Sequence, residues 1–350
     1  MTTTEAEVRR LMATDTGYDP AVWRRIAGEL GWLGLAIPER FGGAGFGLAE
    51  LAVVFEETGR ALLPAPLFST LALALTALLE AGDDAAAARY LPRIAAGELV
   101  ATLALDEPGT DPAMSARHQN GGWVLDGTAR FVLDGHVAGL ILVSAAIDGS
   151  AHLFAVDVED APVGTVQRTP MATMDQTRKQ AVVTFTAAPG QLVGEPGEGT
   201  AVVDRARDRG AVLLGAEQLG GAARCLEMAV GYAGTRVQFD RPIGSFQAVK
   251  HKCADMLIYV ECMRSALFQA LRDAEAGHAD FPASVSTLQV IASEGFMQVA
   301  EETIHVHGGI GFTWEHPAQL YFKRAKTSEV LLGTPAHHRR RFARLCQLVP

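Results

Sequence analysis

Cysteine is scarce in this chain, and its spacing excludes two kinds of site. There are 4 cysteines among 350 residues, at positions 225, 253, 262 and 346, and no two of them have the CxxC spacing. A structural zinc site or a disulfide framework needs such pairs or a denser, regular pattern. We therefore predict no metal site and interpret the cysteines as core or partner-interface thiols of a protein in a reducing compartment.

Positive charge and long apolar runs are also in short supply. Lys and Arg number 30 against 40 Asp and Glu, a formal net charge of −10, so neither nucleic acid nor an anionic membrane is expected as the main partner. The one dense basic run, residues 337–341, is predicted to be a solvated face or end of the last helix. The most apolar early stretch, residues 62–79, contains Pro64 and Pro66 and is too short to cross a bilayer. Because the chain begins without a signal-peptide layout, a cytoplasmic location is expected.

What is present is a globular composition whose local pattern changes twice. Hydrophobic residues make up 49% and charged residues 20% of a chain too long for one ordinary core. Helical patterns give way near residue 100 to short β-rich runs, and long helical stripes follow after residue 200. Asn-Gly or Asp-Gly dipeptides at positions 120, 126, 134 and 148 are predicted to form hairpin turns. The sequence thus predicts an α+β protein with a helical N-terminal domain (1–100), a small antiparallel barrel or sandwich (101–190) and a C-terminal four-helix bundle (191–350).

Two glycine-rich segments are interpreted as connections between elements. Residues 39–47 (ERFGGAGFG) follow no strand and lack the GxGxxG spacing, so a turn between helices is favoured over a phosphate-binding loop. Residues 189–199 (PGQLVGEPGEG) are predicted to be a linker into the helical bundle.

Two long motifs carry a family resemblance. Residues 235–256 read TRVQFDRPIGSFQAVKHKCADM, and residues 301–334 read EETIHVHGGIGFTWEHPAQLYFKRAKTSEVLLGT. Both are similar to signature stretches of the acyl-CoA dehydrogenases, in particular the short actinobacterial type of subunit. The resemblance implies an N-terminal helical domain, a middle antiparallel β-barrel and a C-terminal four-helix bundle. It also implies FAD, an acyl-CoA thioester substrate and an electron-transfer flavoprotein as electron acceptor. In the family's α,β-dehydrogenation, a carboxylate removes the α-proton while flavin N5 accepts a hydride.

The resemblance assigns cofactor contacts by matching position. In the family, the R-x-x-F pair, the following Gln and the G-G turn hold the adenosine-diphosphate half of a neighbouring subunit's FAD. A guanidinium can clamp pyrophosphate oxygens bidentately, and glycines let backbone amides approach them. The alternative is an ordinary salt bridge and a helix-terminating turn. The positions implied as cofactor-binding, including a histidine where the family often has Gln, are Arg236, Phe239, Gln247, His305, Gly308, Gly309 and Thr334.

The catalytic carboxylate is missing from both positions where the family supplies it. The Y-E-G-T register places Leu332 at the usual position, and the alternative position, 26 residues before Arg236, holds Gly210. Asp208 lies about 200° round the helix from Gly210 and is predicted to be solvated or helix-terminal. Asp208 and Glu329, which lies three residues before Leu332, are the two candidates for a relocated base. Glu315, in the T-W-E-H-P run, is expected to be structural.

The segments that face the flavin ring are altered as well. The family's T-E-P-x-x-G-S-D run is shortened here to residues 106–111 (DEPGTD), and its Trp-Ile-Thr triplet is replaced by residues 131–133 (FVL). Leu133 has no hydroxyl, and an Asp106 carboxylate near the flavin would oppose the negative charge that builds on reduction.

These differences predict a subunit that works with a partner. We expect an α2β2 acyl-CoA dehydrogenase in which this chain completes the FAD site of a catalytic paralogue, with steroid side chains or other bulky acyl-CoAs implied as substrates. One alternative is a self-sufficient homotetramer with a relocated base. The other is a non-redox subunit that binds acyl-CoA or a protein.

Overall fold

Helices occupy both ends of the chain, and strands occupy its middle. The computed structural model describes residues 5–348. The α-helices are α1 (Glu5–Met12), α2 (Pro20–Gly28), α3 (Leu48–Ala61), α4 (Thr76–Glu80), α5 (Asp84–Ala95), α6 (Gly199–Thr235), α7 (Gln247–Glu275), α8 (Phe281–His307), α9 (Ala318–Val330) and α10 (Pro335–Leu345). A π-helical segment, Phe68–Leu75, leads directly into α4. Within residues 5–348, no helix combines the length and the apolar character that a membrane crossing requires.

The described residues form two units by contact. One contains Arg10–Glu50 and Pro64–Gly210, and therefore the whole β-region. The other contains residues 5–9, Leu51–Leu63 and residues 211–348. The predicted domain boundaries at residues 100 and 190 stay a prediction.

A ring of strands forms the centre of the first unit. The strands are β1 (Ala101–Ala104), β2 (Met114–Gln119), β3 (Gly122–Leu133), β4 (Leu140–Ile147), β5 (Ser150–Asp157), β6 (Val166–Pro170) and β7 (Gln180–Val193). The pairings β4–β2–β3–β7–β5 return to β4, which closes a barrel. The predicted antiparallel arrangement needs a correction at two places, because β1 and β2 both pair with β4 in parallel. The barrel interior is filled by apolar side chains that include Leu125, Ile141, Phe154, Val183 and Phe185.

The predicted turns are only partly right. Asn120-Gly121 connects β2 to β3, and Asp148-Gly149 connects β4 to β5, each with both φ angles positive. The turn predicted at Asp126 is wrong, because Gly127 lies inside β3 at φ 142. A Cβ on Gly127 would come within 2.8 Å of Met114 Sδ, so the glycine is required by the close approach of β2.

Three other segment predictions also need correction. The sequence pattern predicts one helix from Pro20 to Leu35, but α2 ends at Gly28, because the backbone of Gly31 turns left-handed at φ 65. The segment expected as a linker begins inside β7, which continues to Val193. Finally, α9 had not been expected as a helix of its own.

The second unit is built around α8, which packs against α7, α9 and α10. The α3 part of this unit crosses α6 at backbone contact: a Cβ on Gly59 would lie 2.0 Å from the Glu217 carbonyl oxygen, and one on Gly220 would lie 1.8 Å from that of Glu56. Glu217 also forms a buried ion pair with Arg324 of α9. The N-terminal helix α3 therefore belongs to the same packed core as the C-terminal helices.

Candidate functional site

A two-stranded hairpin after α6 presents an aromatic side chain to solvent. Strands β8 (Val237–Gln238) and β9 (Arg241–Pro242) are joined by Phe239 and Asp240 at φ 52 and 61. This left-handed pair is the geometry of a type I′ turn, which Asn-Gly usually supplies, and non-glycine residues adopt it at a cost of about 1–3 kcal/mol each. Phe239 is nevertheless 86% exposed, with its ring edge-to-face with Phe246 at 6.1 Å between centroids. The fold holds an aromatic group outward at the hairpin tip.

Donors for an anion lie beside this hairpin. Arg236 is exposed, and among residues 5–348 its side chain has no ion-pair partner, while its backbone amide donates to the Tyr232 carbonyl at 2.8 Å. Gln247 is the first residue of α7, and Phe246 at the N-cap position offers no side-chain acceptor to the first helical amides. A guanidinium and an uncapped helix N-terminus both favour negative charge. This donor set fits the diphosphate of a dinucleotide.

The end of α8 supplies the glycine turn. Gly308 follows the last residue of α8 and ends the helix at φ 64. A Cβ on Gly308 or Gly309 would meet nothing within 4 Å, which means that the backbone here faces open space. His305 is exposed and lies 3.5 Å from Glu302, which also pairs with Lys252 of α7.

The structure brings these predicted cofactor positions to one end of the unit. The Lys252–Glu302 pair joins the first part of α7 to the last turn of α8. The Tyr232 ring, at the end of α6, stacks on His307 at 4.5 Å between centroids. The hairpin follows Tyr232 and the glycine turn follows His307, so both segments begin beside this pair of stacked rings. In the sequence, Arg236 and Gly308 are 72 residues apart.

Leu332 and Thr334 lie apart from this end, beyond α9, whose 13 residues span about 20 Å. Leu332 is 6% exposed and takes φ 63. The Thr334 hydroxyl accepts a hydrogen bond from the His337 amide at 3.2 Å and caps α10. Glu329 pairs with Lys326 at 2.5 Å. The cofactor contact predicted for Thr334 would therefore lie at a different place from the one predicted for Arg236.

Asp208 and Gly210 are both buried in the part of α6 that belongs to the barrel unit. The expectation that Asp208 is solvated or helix-terminal is wrong: it is 8% exposed, and α6 continues to Thr235. Burial of a carboxylate at a helix interior does not by itself direct it towards a substrate.

The positions expected near a flavin ring also lie in the barrel unit. Asp106 accepts a hydrogen bond from the Ala113 amide at 3.2 Å, and burial raises the pKa of its carboxyl group. Phe131 is 62% exposed at φ 57, where the register between β3 and β7 shifts. Leu133 is 3% exposed, so its side chain is held inside the fold. This set offers one aromatic face and no hydroxyl at the third position, a poorer fit to a flavin ring than the hairpin end is to a diphosphate.

Comparison with known proteins decides the family. The acyl-CoA dehydrogenase N-terminal domain matches residues 2–98, and the acyl-CoA dehydrogenase C-terminal domain matches residues 197–346. The acyl-CoA dehydrogenase IpdE2 of Mycobacterium tuberculosis is 38% identical over 96% of this chain and 90% of its own length. The chain belongs to the acyl-CoA dehydrogenase family.

Solved structures of acyl-CoA dehydrogenases agree with the whole fold. The ChsE4–ChsE5 complex of Mycobacterium tuberculosis superimposes with a TM-score of 0.90 at 33% identity and covers 100% of this chain and 94% of its own. The Tcur3481–Tcur3483 steroid acyl-CoA dehydrogenase variant gives a TM-score of 0.88 at 34% identity, with coverage of 99% and 93%. The predicted family and fold class are confirmed by these matches. The predicted FAD cofactor is confirmed as well, because acyl-CoA dehydrogenases are FAD-dependent flavoproteins.

Sequence reasoning missed two side chains at the hairpin end, Tyr232 and His316. They come from α6 and from the segment before α9, and both contact His307. No spacing in the sequence marks three residues from three separate elements as neighbours.

Proposed function

We propose that this chain is the base-lacking subunit of a heteromeric acyl-CoA dehydrogenase and completes the FAD site of a catalytic paralogue. FAD supplies the hydride acceptor when it is bound. In this chain, Arg236 binds the diphosphate, Phe239 packs on the dinucleotide, and the Gly308–Gly309 backbone approaches it. The α-proton is removed by a carboxylate of the paralogue.

The exposed hairpin tip carries this proposal. Phe239 is held in a strained conformation with 86% of its surface in solvent, which costs stability within the chain. Such strain persists where it serves a contact, and the aromatic partner of Phe239 within the described residues is Phe246, at 6.1 Å between ring centroids. Another chain and its cofactor would use the ring, the free Arg236 guanidinium and the open glycine turn together.

The absence of a base supports the same assignment. Leu332 and Gly210 cannot accept a proton, Glu329 is held in an ion pair with Lys326, and Asp208 is buried inside a helix. A homotetramer of this chain would bind a dinucleotide without a group to start the reaction. A mixed α2β2 tetramer removes that difficulty.

The comparisons suggest the partner and the substrate class. One similar structure is described as a complex of ChsE4 with ChsE5, and another, named for Tcur3481 and Tcur3483, is described as a steroid acyl-CoA dehydrogenase variant. We assign to this chain a paralogous acyl-CoA dehydrogenase subunit as partner and a bulky acyl-CoA, such as one with a steroid side chain, as substrate. An electron-transfer flavoprotein is proposed as the electron acceptor.

The test is FAD binding by the complex of this chain with its co-expressed paralogue. Loss of charge-assisted hydrogen bonds in Arg236→Ala removes about 1.5–3 kcal/mol, so the Kd for FAD, titrated by flavin fluorescence, should rise about 10- to 100-fold. Arg344→Ala, an exposed arginine of α10, is the matched control and should leave the Kd unchanged. Equal FAD affinity in wild type and Arg236→Ala would refute the proposal, as would full turnover by this chain alone.

A further inference from the structure

Three aromatic rings from three elements meet beneath the hairpin and the glycine turn. Tyr232 lies near the end of α6, His307 ends α8, and His316 lies just before α9. Tyr232 and His307 stack with centroids 4.5 Å apart and planes at 26°, and His307 and His316 lie 4.2 Å apart at 46°. We refer to Tyr232, His307 and His316 as the ring stack. His307, its central member, is 5% exposed.

The central ring is fixed in orientation by α8. The Thr303 carbonyl accepts a hydrogen bond from His307 Nδ1 at 2.7 Å. The Thr303 hydroxyl in turn donates to the carbonyl of Cys225 in α6 at 3.1 Å. Burial lowers the pKa of His307, which keeps the ring neutral at pH 7 between its two neighbours. A neutral, oriented imidazole suits a stacked contact with Tyr232 and a tilted contact with His316.

Both cofactor-binding segments start from this stack. The Tyr232 carbonyl accepts the Arg236 amide at 2.8 Å, and the Arg236 carbonyl accepts the Ile243 amide at 2.8 Å, which closes the base of the hairpin. His307 directly precedes Gly308, and a Cβ on Gly311 would lie 3.0 Å from the Cβ of His307. His316 Nδ1 accepts the Ala318 amide at 3.2 Å at the start of α9.

We propose that His307, through the ring stack, is a positioning residue that sets the spacing between the Arg236 hairpin and the Gly308–Gly309 turn, so that both engage one dinucleotide. The inference rests on the proposed function. Two anchors improve affinity only when their separation matches the ligand, and a shift on the order of 0.5 Å is enough to spoil such a match. A buried histidine that only filled space would affect folding and leave FAD affinity alone.

The experiment compares variants of the co-expressed complex by FAD titration and by thermal melting of the apo complex. His307→Leu replaces the imidazole with an aliphatic side chain and removes the ring contacts, so the Kd for FAD should rise about tenfold, in keeping with aromatic pairs worth about 0.5–1.5 kcal/mol. His307→Phe keeps the stacked ring and should stay within about threefold of wild type. Phe296→Leu, a buried aromatic in the same helix, is the matched control: it should lower the melting temperature and leave the Kd unchanged.

A second variant tests the ring stack by changing Tyr232 instead of His307. Tyr232→Leu should raise the Kd as much as His307→Leu does, and the double variant should add little, because both remove the same contact. If Arg236→Ala weakens FAD binding but neither His307→Leu nor Tyr232→Leu does, the positioning role is wrong and the proposed function stands. If Phe296→Leu weakens FAD binding as much as His307→Leu, the effect is general destabilisation and the positioning role is also wrong. If Arg236→Ala has no effect, both proposals fall.

Discussion

The Asp83 side chain caps a helix and also accepts a hydrogen bond from the backbone just beyond a strand. It is the N-cap of α5, where its Oδ1 accepts the amides of Ala85 and Ala86 at 3.0 Å each. Its Oδ2 accepts the Gly194 amide, just beyond β7, at 3.2 Å. Burial alone would raise the pKa of Asp83, but these three amide donors outweigh it and lower the pKa. The ionised carboxylate is therefore the form that the fold stabilises.

The first prediction follows from that carboxylate. Asp83→Ala should lower the free energy of unfolding by about 1 kcal/mol at pH 7, the usual cost of a lost cap. Because the folded pKa is lowered, the contribution is complete above the unfolded pKa of about 3.9 and is lost as the pH falls from there through the lower pKa of the folded state. Urea unfolding at pH 7 and at successively lower pH measures both effects. Asp84→Ala removes only an exposed ion pair with Arg40 and should cost under about 0.5 kcal/mol; an equal cost for the two variants would contradict the capping role.

At the scale of elements, the contact of α3 with α6 depends on glycine. Because a Cβ at Gly220 would lie 1.8 Å from the Glu56 carbonyl oxygen, Gly220→Ala must separate two helices and should destabilise the protein by at least about 1–3 kcal/mol. Gly231 lies in the same helix with nothing within 4 Å of its Cβ position. There alanine should be neutral or stabilise by up to about 1 kcal/mol. Urea midpoints of the two variants provide the comparison, and similar midpoints would show that the helices can move apart freely.

The helices also show what the sequence could predict. The four- and three-residue spacing of Val212, Ala216, Leu219 and Val230 predicts one apolar stripe on α6. The first three are buried, whereas Val230 is 51% exposed. Periodicity identifies a face but not how far along the helix its neighbours extend.

Helix α9 is not marked by the sequence pattern, because polar residues occupy part of its buried face. The buried face of α9 includes Gln319, Arg324 and Ser328 at 8%, 4% and 1% exposure, so no hydrophobic stripe marks it. Its stability depends on partners such as Glu217, which lies 107 residues earlier in the chain. In the same way, the motifs predicted Arg236 and Gly308 as cofactor contacts, but the ring stack between them is a product of tertiary packing alone.

At the scale of the whole molecule, the predicted cofactor-binding and catalytic positions fall into two parts, which match the family's pattern to different degrees. The end formed by Arg236, Phe239 and the glycine turn is open and keeps the family's donors. The resemblance places Leu332 where the family has its catalytic carboxylate and Leu133 where it has a hydroxyl, so the positions predicted for catalysis and for the flavin ring lack both groups. An enzyme that needs both parts can obtain them from two different chains. We therefore expect the mixed complex to carry one FAD for each pair of subunits.

Restoring the base alone should consequently fail. Leu332→Glu puts a carboxylate at the family's usual position, yet the altered ring contacts at Phe131, Leu133 and Asp106 remain. We expect no acyl-CoA-dependent dye reduction by this variant purified alone, and an unchanged FAD content in its complex with the paralogue. Leu332→Gln, of the same shape without a base, is the control for any effect of size at a buried position with φ 63. Turnover by Leu332→Glu alone, absent from Leu332→Gln and accompanied by one FAD per chain, would show that this subunit retains a complete flavin site and lacks only its base. In that case this chain would need a catalytic partner only because it lacks one carboxylate, and the changed residues expected at the flavin ring would not contribute to that need.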